Sequence, residues 1–401
     1  MIRAGSSAVR PGRARNIGFA IAGFVLMAIG PAAYAQSGGL DLSGSLSNDM
    51  VLLQNLDGGA PGATAPGLSN PSVGGFSKFT LNFVNRNRSS AKVEGSVALS
   101  LLYGAYSDAY IAALSSQLGP SYSQVVTLLT SNGAAFNLDL RKLYLSVYTN
   151  LMDISVGRQI INYGVGTLFS PIDAFSTPTL SDLNYERSGS DVVRLQLPFG
   201  DVSGVDAVTT VSDSLSGLTS AVKLYTNIAD YDVGAVGLYR GADREFIAGI
   251  DFKGDLVLGI HGEAVQHFLY DSRKSFFEGM FGADYSFGGK LFLSAEYYYN
   301  GDPATPGSLG PTAVASARRL FLNEHYLYSD VRYLLNELSS VGVSGVFDLS
   351  AGSLLGTAQY AYNIAQNADL LAYVRYFRGD VRSGISGGST FQYGAELRVA
   401  F

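Results

Sequence analysis

The last segment of the chain, residues 391–401, alternates strictly between apolar and polar positions and ends on an aromatic residue. Phe391, Tyr393, Leu397 and Phe401 fall on one face of such a segment. The opposite face carries Gln392, Gly394, Glu396, Arg398 and Ala400. Successive side chains of a β-strand point to opposite sides, so one side meets an apolar medium and the other a polar one. Because the pattern recurs along most of the chain, it predicts a transmembrane β-barrel with lipid outside and water inside.

A secretory signal peptide is predicted over residues 1–35. Four arginines and no acidic residue accompany an apolar stretch at 17–30, which has the length of a signal-peptide core and is shorter than a membrane-spanning helix. An Ala-Tyr-Ala sequence at 33–35 then provides the small-x-small cleavage site, so cleavage before Gln36 is expected. The alternative, a retained anchor helix, is disfavoured by the proline directly after the apolar stretch. Residues 36–401 are therefore predicted to form the barrel.

Composition narrows the partners of the mature chain. Cleavage removes four of the 27 basic residues and none of the 33 acidic ones, which leaves a net charge of −10. A chain with this balance is not expected to bind nucleic acid. Cysteine is absent, so the sequence offers neither a disulfide framework nor a thiol nucleophile. The 48 glycines and 25 tyrosines suit tight strand packing and the aromatic belts of a membrane barrel.

Eighteen segments with strand-like alternation can be traced between residues 40 and 401. Long and short connections alternate between them, as in bacterial barrels with long outer loops and short periplasmic turns. The sequence therefore predicts an all-β fold, an antiparallel up-and-down barrel of about 16–18 strands, with the lower number left open by the weak pattern at 204–228. The longest outer loop is 104–135, whose apolar stretches 110–114 and 125–129 predict two short helices. Such a loop either caps the barrel or dips into the pore as a partial plug.

Charged side chains within the predicted strands occur on one face only. Exposing a charge to lipid at the bilayer midplane costs about 2–4 kcal/mol, so these side chains are expected to face the lumen. The predicted lumen-facing residues are Glu94, Glu263, Glu296, Glu396 and Arg398, together with Arg194 and Arg375, which lie between apolar neighbours. Both signs of charge are present, so the sequence does not predict a strong ion selectivity.

The most specific local sequence is Val156-Gly-Arg-Gln-Ile-Ile-Asn-Tyr-Gly-Val-Gly166, followed by Leu168-Phe-Ser-Pro-Ile-Asp-Ala-Phe175. It resembles the Gly-Arg-Gln…Trp/Tyr-Gly…Pro-x-Asp segment of porin-like families, including alginate-export-like and phosphate-selective-porin-like barrels. The terminal Phe401 is similarly placed to the last residue of bacterial outer-membrane proteins. The resemblance implies that the third outer loop, 164–189, folds into the barrel and narrows it.

Three residues of this segment are predicted to form the constriction. Arg158 and Gln159 lie within a strand predicted over 153–163, where an arginine must face water or a partner. Asp173 follows a proline turn and is expected within reach of Arg158. The alternative is a structural role, in which Arg158 pins the loop to the wall through hydrogen bonds to carbonyl or carboxylate oxygens.

Catalytic and metal-binding interpretations have little support in the sequence. A zinc site needs three or four convergent ligands, and only His261 and His267 share a face with Glu263. At ~3.4 Å per residue, the six-residue spacing separates these histidines by about 20 Å. The third, His325, follows an outer loop that lacks a recognisable nucleophile motif. The sequence therefore predicts no enzyme, no metal site and no cofactor.

Together with the resemblance, these features predict a porin of the bacterial outer membrane, through which small hydrophilic solutes diffuse passively. The expected partners are outer-membrane lipid, the barrel-assembly machinery that reads Phe401, and further copies of the chain in a homo-oligomer. Two alternatives stay open. One is a dedicated export barrel for a secreted polysaccharide, and the other is a plugged barrel that serves as a structural anchor or receptor.

Overall fold

The computed structural model describes residues 39–56, 71–85, 90–104, 107, 125–131, 134–176, 187, 189–303, 321–379 and 388–401. The predicted signal peptide and the predicted helix at 110–114 lie outside these residues. Within the described ranges, no helix is both long enough and apolar enough to cross a membrane. The described chain is built almost entirely of β-strands.

Eighteen strands form a closed antiparallel barrel, and one further strand belongs to a connection. The strands are β1 Leu40–Asn55, β2 Ser72–Asn85, β3 Ala91–Gly104, β4 Val125–Ser131, β5 Ala134–Tyr148, β6 Asp153–Gln159, β7 Ser190–Pro198, β8 Gly204–Thr210, β9 Thr219–Ile228, β10 Tyr231–Arg240, β11 Glu245–Asp255, β12 Gly259–Leu269, β13 Ser275–Phe287, β14 Leu291–Asn300, β15 His325–Asn336, β16 Ser339–Asp348, β17 Ser353–Ala365, β18 Ala368–Gly379 and β19 Gly388–Ala400. β1 closes the barrel by pairing with both β2 and β19. The predicted all-β barrel is confirmed, with the higher of the two strand numbers.

The two faces of the wall carry different side chains, which explains why these segments become strands. In β19, Tyr393 and Leu397 point outward and are 38% and 40% exposed. Gln392 and Glu396 alternate with them, point inward and are buried. An apolar outward face and a polar inward face are the pattern of a barrel with lipid outside and a polar interior.

A β-bulge at Arg141 explains the mixed alternation of β5. The pairing of β5 with β3 skips this residue, and an extra residue in one strand reverses the alternation on either side of it. Leu143 therefore points outward, with 45% exposure, although Leu140 also lies on the outward face. Tyr144 points inward, where its hydroxyl donates a hydrogen bond to Glu94 Oε2 at 2.7 Å. No single alternation therefore runs through the whole strand.

Two predicted elements need correction. The strand predicted over 153–163 ends at Gln159, so residues 160–163 leave the wall earlier than expected. The stretch 125–129, predicted as a helix, is part of β4 and pairs with β5. Its β-branched residues Val125 and Val126 favour a strand, and the exposed edge of β5 supplies the backbone partner that an isolated helix would not need.

Short and long connections lie at opposite ends of the barrel. The turn after β9 contains Ala229 and Asp230, whose φ values of 52° and 68° are typical of a tight two-residue hairpin. The strand ends that are joined by the long connections after β1, β3, β6 and β14 lie at the other end. This arrangement matches the predicted periplasmic turns and outer loops. We call the end with the long connections the outer end and the opposite end the inner end.

The last residue of the chain closes the barrel against β1. Phe401 exchanges two backbone hydrogen bonds with Gly44, each of 3.0 Å. Its ring stacks on Phe79 of β2 with 6.0 Å between ring centroids. The same ring fills the space beside Gly44 that a side chain would otherwise occupy. One residue therefore joins β1, β2 and the end of β19.

Deleting Phe401 should lower the yield of folded barrel several-fold, because it removes both closing hydrogen bonds and the aromatic contact with Phe79. The heat-modifiable band of the folded protein on electrophoresis measures this yield. Phe401→Tyr is the matched control, since it keeps the ring and the backbone, and it should fold at the wild-type level. An unchanged folded band after the deletion would contradict the assigned closure.

Candidate functional site

The chain leaves the wall after Gln159 and enters the interior of the barrel. Residues 160–176, here called the inward loop, pack against inward-facing side chains of strands β7 to β17. Ile161 and Phe175, near the two ends of the loop, are 1% and 0% exposed. A loop buried this deeply needs acceptors for its backbone amides, because an unpaired buried amide costs about 1–3 kcal/mol. Two carboxylates of the barrel wall, on β12 and β14, supply these acceptors.

Glu296 on β14 holds the tip of the inward loop. Its Oε2 accepts hydrogen bonds from the amides of Leu168 and Phe169 at 2.9 and 3.1 Å, and its Oε1 accepts one from the amide of Thr167. His261 Nε2 lies 3.0 Å from the same Oε1. Glu296 is 0% exposed, so water does not solvate its carboxylate. Three amide dipoles and one imidazole take the place of water, as in an anion-binding nest.

Glu263 on β12 holds both sides of that tip. Its Oε1 accepts hydrogen bonds from the amides of Val165 and Gly166 at 2.7 and 3.0 Å. Its Oε2 accepts one from the amide of Ile172 at 3.1 Å, and the Ser170 hydroxyl lies 3.0 Å from the same atom. The two glutamates therefore bind the inward loop mainly through its backbone amides.

Aromatic contacts fix the inward loop laterally. Phe169 stacks on Tyr298 of β14 with 5.3 Å between ring centroids, and it meets Phe321 edge to face at 4.8 Å. Tyr163 meets Phe175 edge to face at 5.7 Å within the loop itself. The inward positions behind the loop are apolar, which is unusual for a polar lumen and is explained by this packing. They include Val192, Val208, Val236, Leu238, Ile247 and Val265.

Polar side chains on strands β7, β8, β9 and β11 hold the first part of the inward loop. Lys223 Nζ donates to the carbonyl oxygen of Tyr163 at 2.6 Å and to Asp251 Oδ1 at 3.0 Å. The Tyr163 hydroxyl donates to the carbonyl oxygen of Asp206 at 3.1 Å. The Asp206 carboxylate pairs with Arg194 at 2.5 Å. Arg194 therefore points inward as the alternation predicts, with its charge compensated by Asp206.

Asp173 organises the return of the inward loop. Its carboxylate forms an ion pair with Arg187 and accepts a hydrogen bond from the Ser176 hydroxyl at 2.9 Å. Burial raises the pKa of Asp173 to about 6, although the charge of Arg187 and the hydrogen bond of Ser176 favour the ionised carboxylate. The predicted pairing of Asp173 with Arg158 is therefore wrong.

Arg158 lies on the outward side of the wall and not in the lumen. It stands opposite Leu143 and Asp191 in the register of the neighbouring strands, and opposite residues of an antiparallel pair share a face. Leu143 is on the outward face. The guanidinium donates to both carboxylate oxygens of Asp191 at 2.9 and 2.6 Å and to the carbonyl oxygen of Leu140 at 3.3 Å. The register therefore contradicts the prediction of Arg158 as a constriction residue. Its partners belong to the wall strands β5 and β7, so these contacts join neighbouring strands, and the alternative that Arg158 pins the loop to the wall is not shown by them.

The other predicted lumen residues point inward. Gln159 is 5% exposed, and its amide nitrogen has no hydrogen-bond partner within the part of the chain that the structure describes. Glu94 pairs with lysines of β3 and β5. Arg375 is 1% exposed, and Glu396 accepts a hydrogen bond from Arg398 at 3.1 Å. Whether these residues contact a solute stays a prediction.

Sequence reasoning missed several residues that hold the inward loop or its partners, among them Lys223, Asp206 and Asp251. Each occupies an inward position with apolar neighbours in the chain, as in Val205-Asp206-Ala207 and Val222-Lys223-Leu224. The same signal identified Glu263, so it could have found them. Among the described residues, no group of three or more His, Cys, Asp or Glu side chains is arranged to hold a metal ion.

Comparison with solved structures gives barrels of the same architecture. The chain is similar to OccAB4 of Acinetobacter baumannii, with 8% identity, coverage of 91% of this chain and 99% of that chain, and a TM-score of 0.56. It is also similar to the outer membrane protein OprD of Pseudomonas aeruginosa, with 9% identity, 92% and 96% coverage and a TM-score of 0.56. OpdK of Pseudomonas aeruginosa, solved with vanillate, gives 10% identity, 90% and 98% coverage and a TM-score of 0.54. No protein-family model matches the chain, and no curated protein matches its sequence. At these identities the likeness establishes the barrel fold.

Proposed function

We propose that the protein is a porin of the bacterial outer membrane, in which small hydrophilic solutes diffuse passively past the inward loop. The observation that carries the proposal is the fixation of that loop. Glu263 on β12 and Glu296 on β14 accept hydrogen bonds from backbone amides within residues 165–172. A segment held across the interior in this way gives an aperture of fixed size, and pore diameter is a main determinant of solute selectivity. The structural neighbours are outer-membrane porins, which supports the class.

The location in an outer membrane is supported by the wall itself. Exposed apolar side chains cover the outward face, and the pairing of β1 with β19 leaves no open sheet edge there. A membrane-spanning sheet must satisfy every backbone amide internally, which a closed barrel does. Association with other copies and recognition by the assembly machinery are proposed on the sequence resemblance alone.

Three inward ion pairs support a preference for anionic solutes. In each pair the side chain of the cation is more exposed than that of the carboxylate, with exposures of 34%, 57% and 44% for the cations against 22%, 8% and 8% for the acids. The cation of each pair is therefore the more accessible partner for a solute in the inner part of the lumen. The pairs are Lys142–Glu94, Arg332–Asp330 and Arg398–Glu396. A closer relation to alginate-export-like or phosphate-selective-porin-like barrels is proposed only on the local sequence of residues 156–175.

Recordings of the mature protein in planar lipid bilayers test this function. We expect stable ohmic conductance steps, and a reversal potential in a KCl gradient that indicates weak anion preference. Vesicles containing the protein should swell in small sugars and progressively less in larger ones. A folded protein that conducts no ions would overturn the porin proposal in favour of the plugged alternative. Conductance with unrestricted passage of long polysaccharides would favour the export alternative.

A further inference from the structure

A cleft at the outer end of the wall is lined by a row of aromatic rings. Tyr239, Phe246 and Phe268 stand opposite one another on β10, β11 and β12. They point outward and are 38%, 50% and 46% exposed. Two cavities of about 300 and 510 Å³ adjoin the row and share Phe268, Leu269 and Tyr270 as lining residues. The row lies where the wall of a membrane barrel carries its interfacial aromatic belt.

Three cations stand directly beyond this row, in the connections after β10 and β12. The guanidinium of Arg244 lies 4.5 Å from the centroid of the Tyr270 ring and pairs with Asp271 at 2.7 Å. Lys274 forms an ion pair with Asp302. Arg273 has no hydrogen-bond or ion-pair partner among the residues that the structure describes.

The backbone of both arginines is unusual. Arg244 and Arg273 have φ values of 48° and 51°, in the left-handed region that glycine and asparagine occupy more readily. The turns alone would therefore favour a smaller residue at each position. The two arginines are better explained by the charge that they place at the rim than by the geometry of the turns.

Charge at the cleft is positive although the chain as a whole carries a net charge of −6. In the turn before β11, the neighbouring Asp243 is engaged by Arg240. Arg244, Arg273 and Lys274 line the two cavities and face two carboxylates, those of Asp271 and Asp302. Both ion pairs are partly exposed, with 55% and 63% exposure of the Arg244 and Asp271 side chains, and exposed pairs of this kind are weak. A ligand anion can therefore replace the acids, and Arg273 needs no such exchange. Planar guanidinium groups match the oxygens of a phosphate.

We propose that this cleft binds the phosphorylated headgroup of a membrane lipid, with the acyl chains of that lipid lying along the aromatic row. Cations immediately above an interfacial belt lie at the level of lipid headgroups. The exposed rings of Phe246 and Phe268 continue from the cavities onto the apolar outward face, so one amphiphile can contact both parts. A free phosphate would use the cations and leave the rings bare. The site lies on the outside of the wall, so it goes beyond the proposed pore function.

Native mass spectrometry of the full mature protein in detergent tests the site. The probes are an acylated diglucosamine bisphosphate, its dephosphorylated form and inorganic phosphate. We expect the wild type to retain the phosphorylated lipid. The dephosphorylated form should bind at least about tenfold more weakly. The variant Arg244→Gln/Arg273→Gln, here called the rim variant, should bind the phosphorylated lipid at least about tenfold more weakly than the wild type. The matched control is Lys253→Gln/Lys290→Gln, which removes two exposed cations near the inner ends of β11 and β13 and should bind as the wild type.

Three results would overturn the proposal. They are equal lipid retention in the rim variant and the inner-end control, retention that does not depend on the phosphates, and inorganic phosphate binding that acyl chains do not improve. The heat-modifiable band establishes that each variant is folded. Bilayer conductance should be unchanged in the rim variant, so loss of lipid binding and loss of the pore can be told apart.

Discussion

Removing both carboxylates that hold the inward loop is expected to widen the pore. In Glu263→Ala/Glu296→Ala, the backbone amides that these residues bind across positions 165–172 lose their acceptors. A hydrogen bond to a charged group contributes ~1.5–3 kcal/mol, and a buried amide left without a partner is costly. The backbone amides of the loop can then find new hydrogen-bond acceptors only in water. The tip of the inward loop should therefore move away from β12 and β14. We expect single-channel conductance to rise by about twofold or more, with added noise, because flux depends on the narrowest cross-section.

The control for this variant is another inward carboxylate. Glu396→Ala removes a buried acid that pairs with Arg398, and it leaves both anchors of the inward loop in place. Its conductance should stay close to that of the wild type, with a small shift in ion selectivity. Glu296→Gln keeps one acceptor oxygen and should give an intermediate conductance. A folded double variant with wild-type conductance and noise would show that apolar packing alone holds the loop.

Most of the barrel could be predicted because alternation is a local property of each strand. The side chains of Glu296 and Leu397 indicate their own faces, whichever strands lie beside them. Failures arose where a neighbour decides the conformation. The bulge at Arg141 is visible only in the pairing of β5 with β3. The segment 125–129 has an apolar spacing compatible with a helix, and the edge of β5 selects the strand instead.

The site shows the same division between local and distant information. The sequence predicts that Arg158 faces the lumen, because an unpaired charge facing lipid is costly. The structure removes that cost with Asp191, directly opposite on β7, through a bidentate ion pair that makes the charge tolerable. The alternation predicts that Glu263 and Glu296 point inward, as they do, but their partners lie 98 and 128 positions away in the chain. Contacts between side chains and distant backbone amides leave no trace in a single sequence.

An arginine at Val343 should block most insertion of the barrel, whereas an arginine at the adjacent Ser344 should be tolerated. Val343 lies at the middle of β16 and is 61% exposed on the outward face, where a charge at the bilayer midplane costs about 2–4 kcal/mol. Ser344 points inward and stands opposite Asp330 of β15, a carboxylate that pairs with Arg332 and that the new arginine can also approach. The two variants change one residue each, at neighbouring positions, so they differ only in the face that receives the charge. Refolding into lipid vesicles followed by quantification of the heat-modifiable band compares them, and equal folding of both would mean that the outward face of β16 does not meet hydrocarbon.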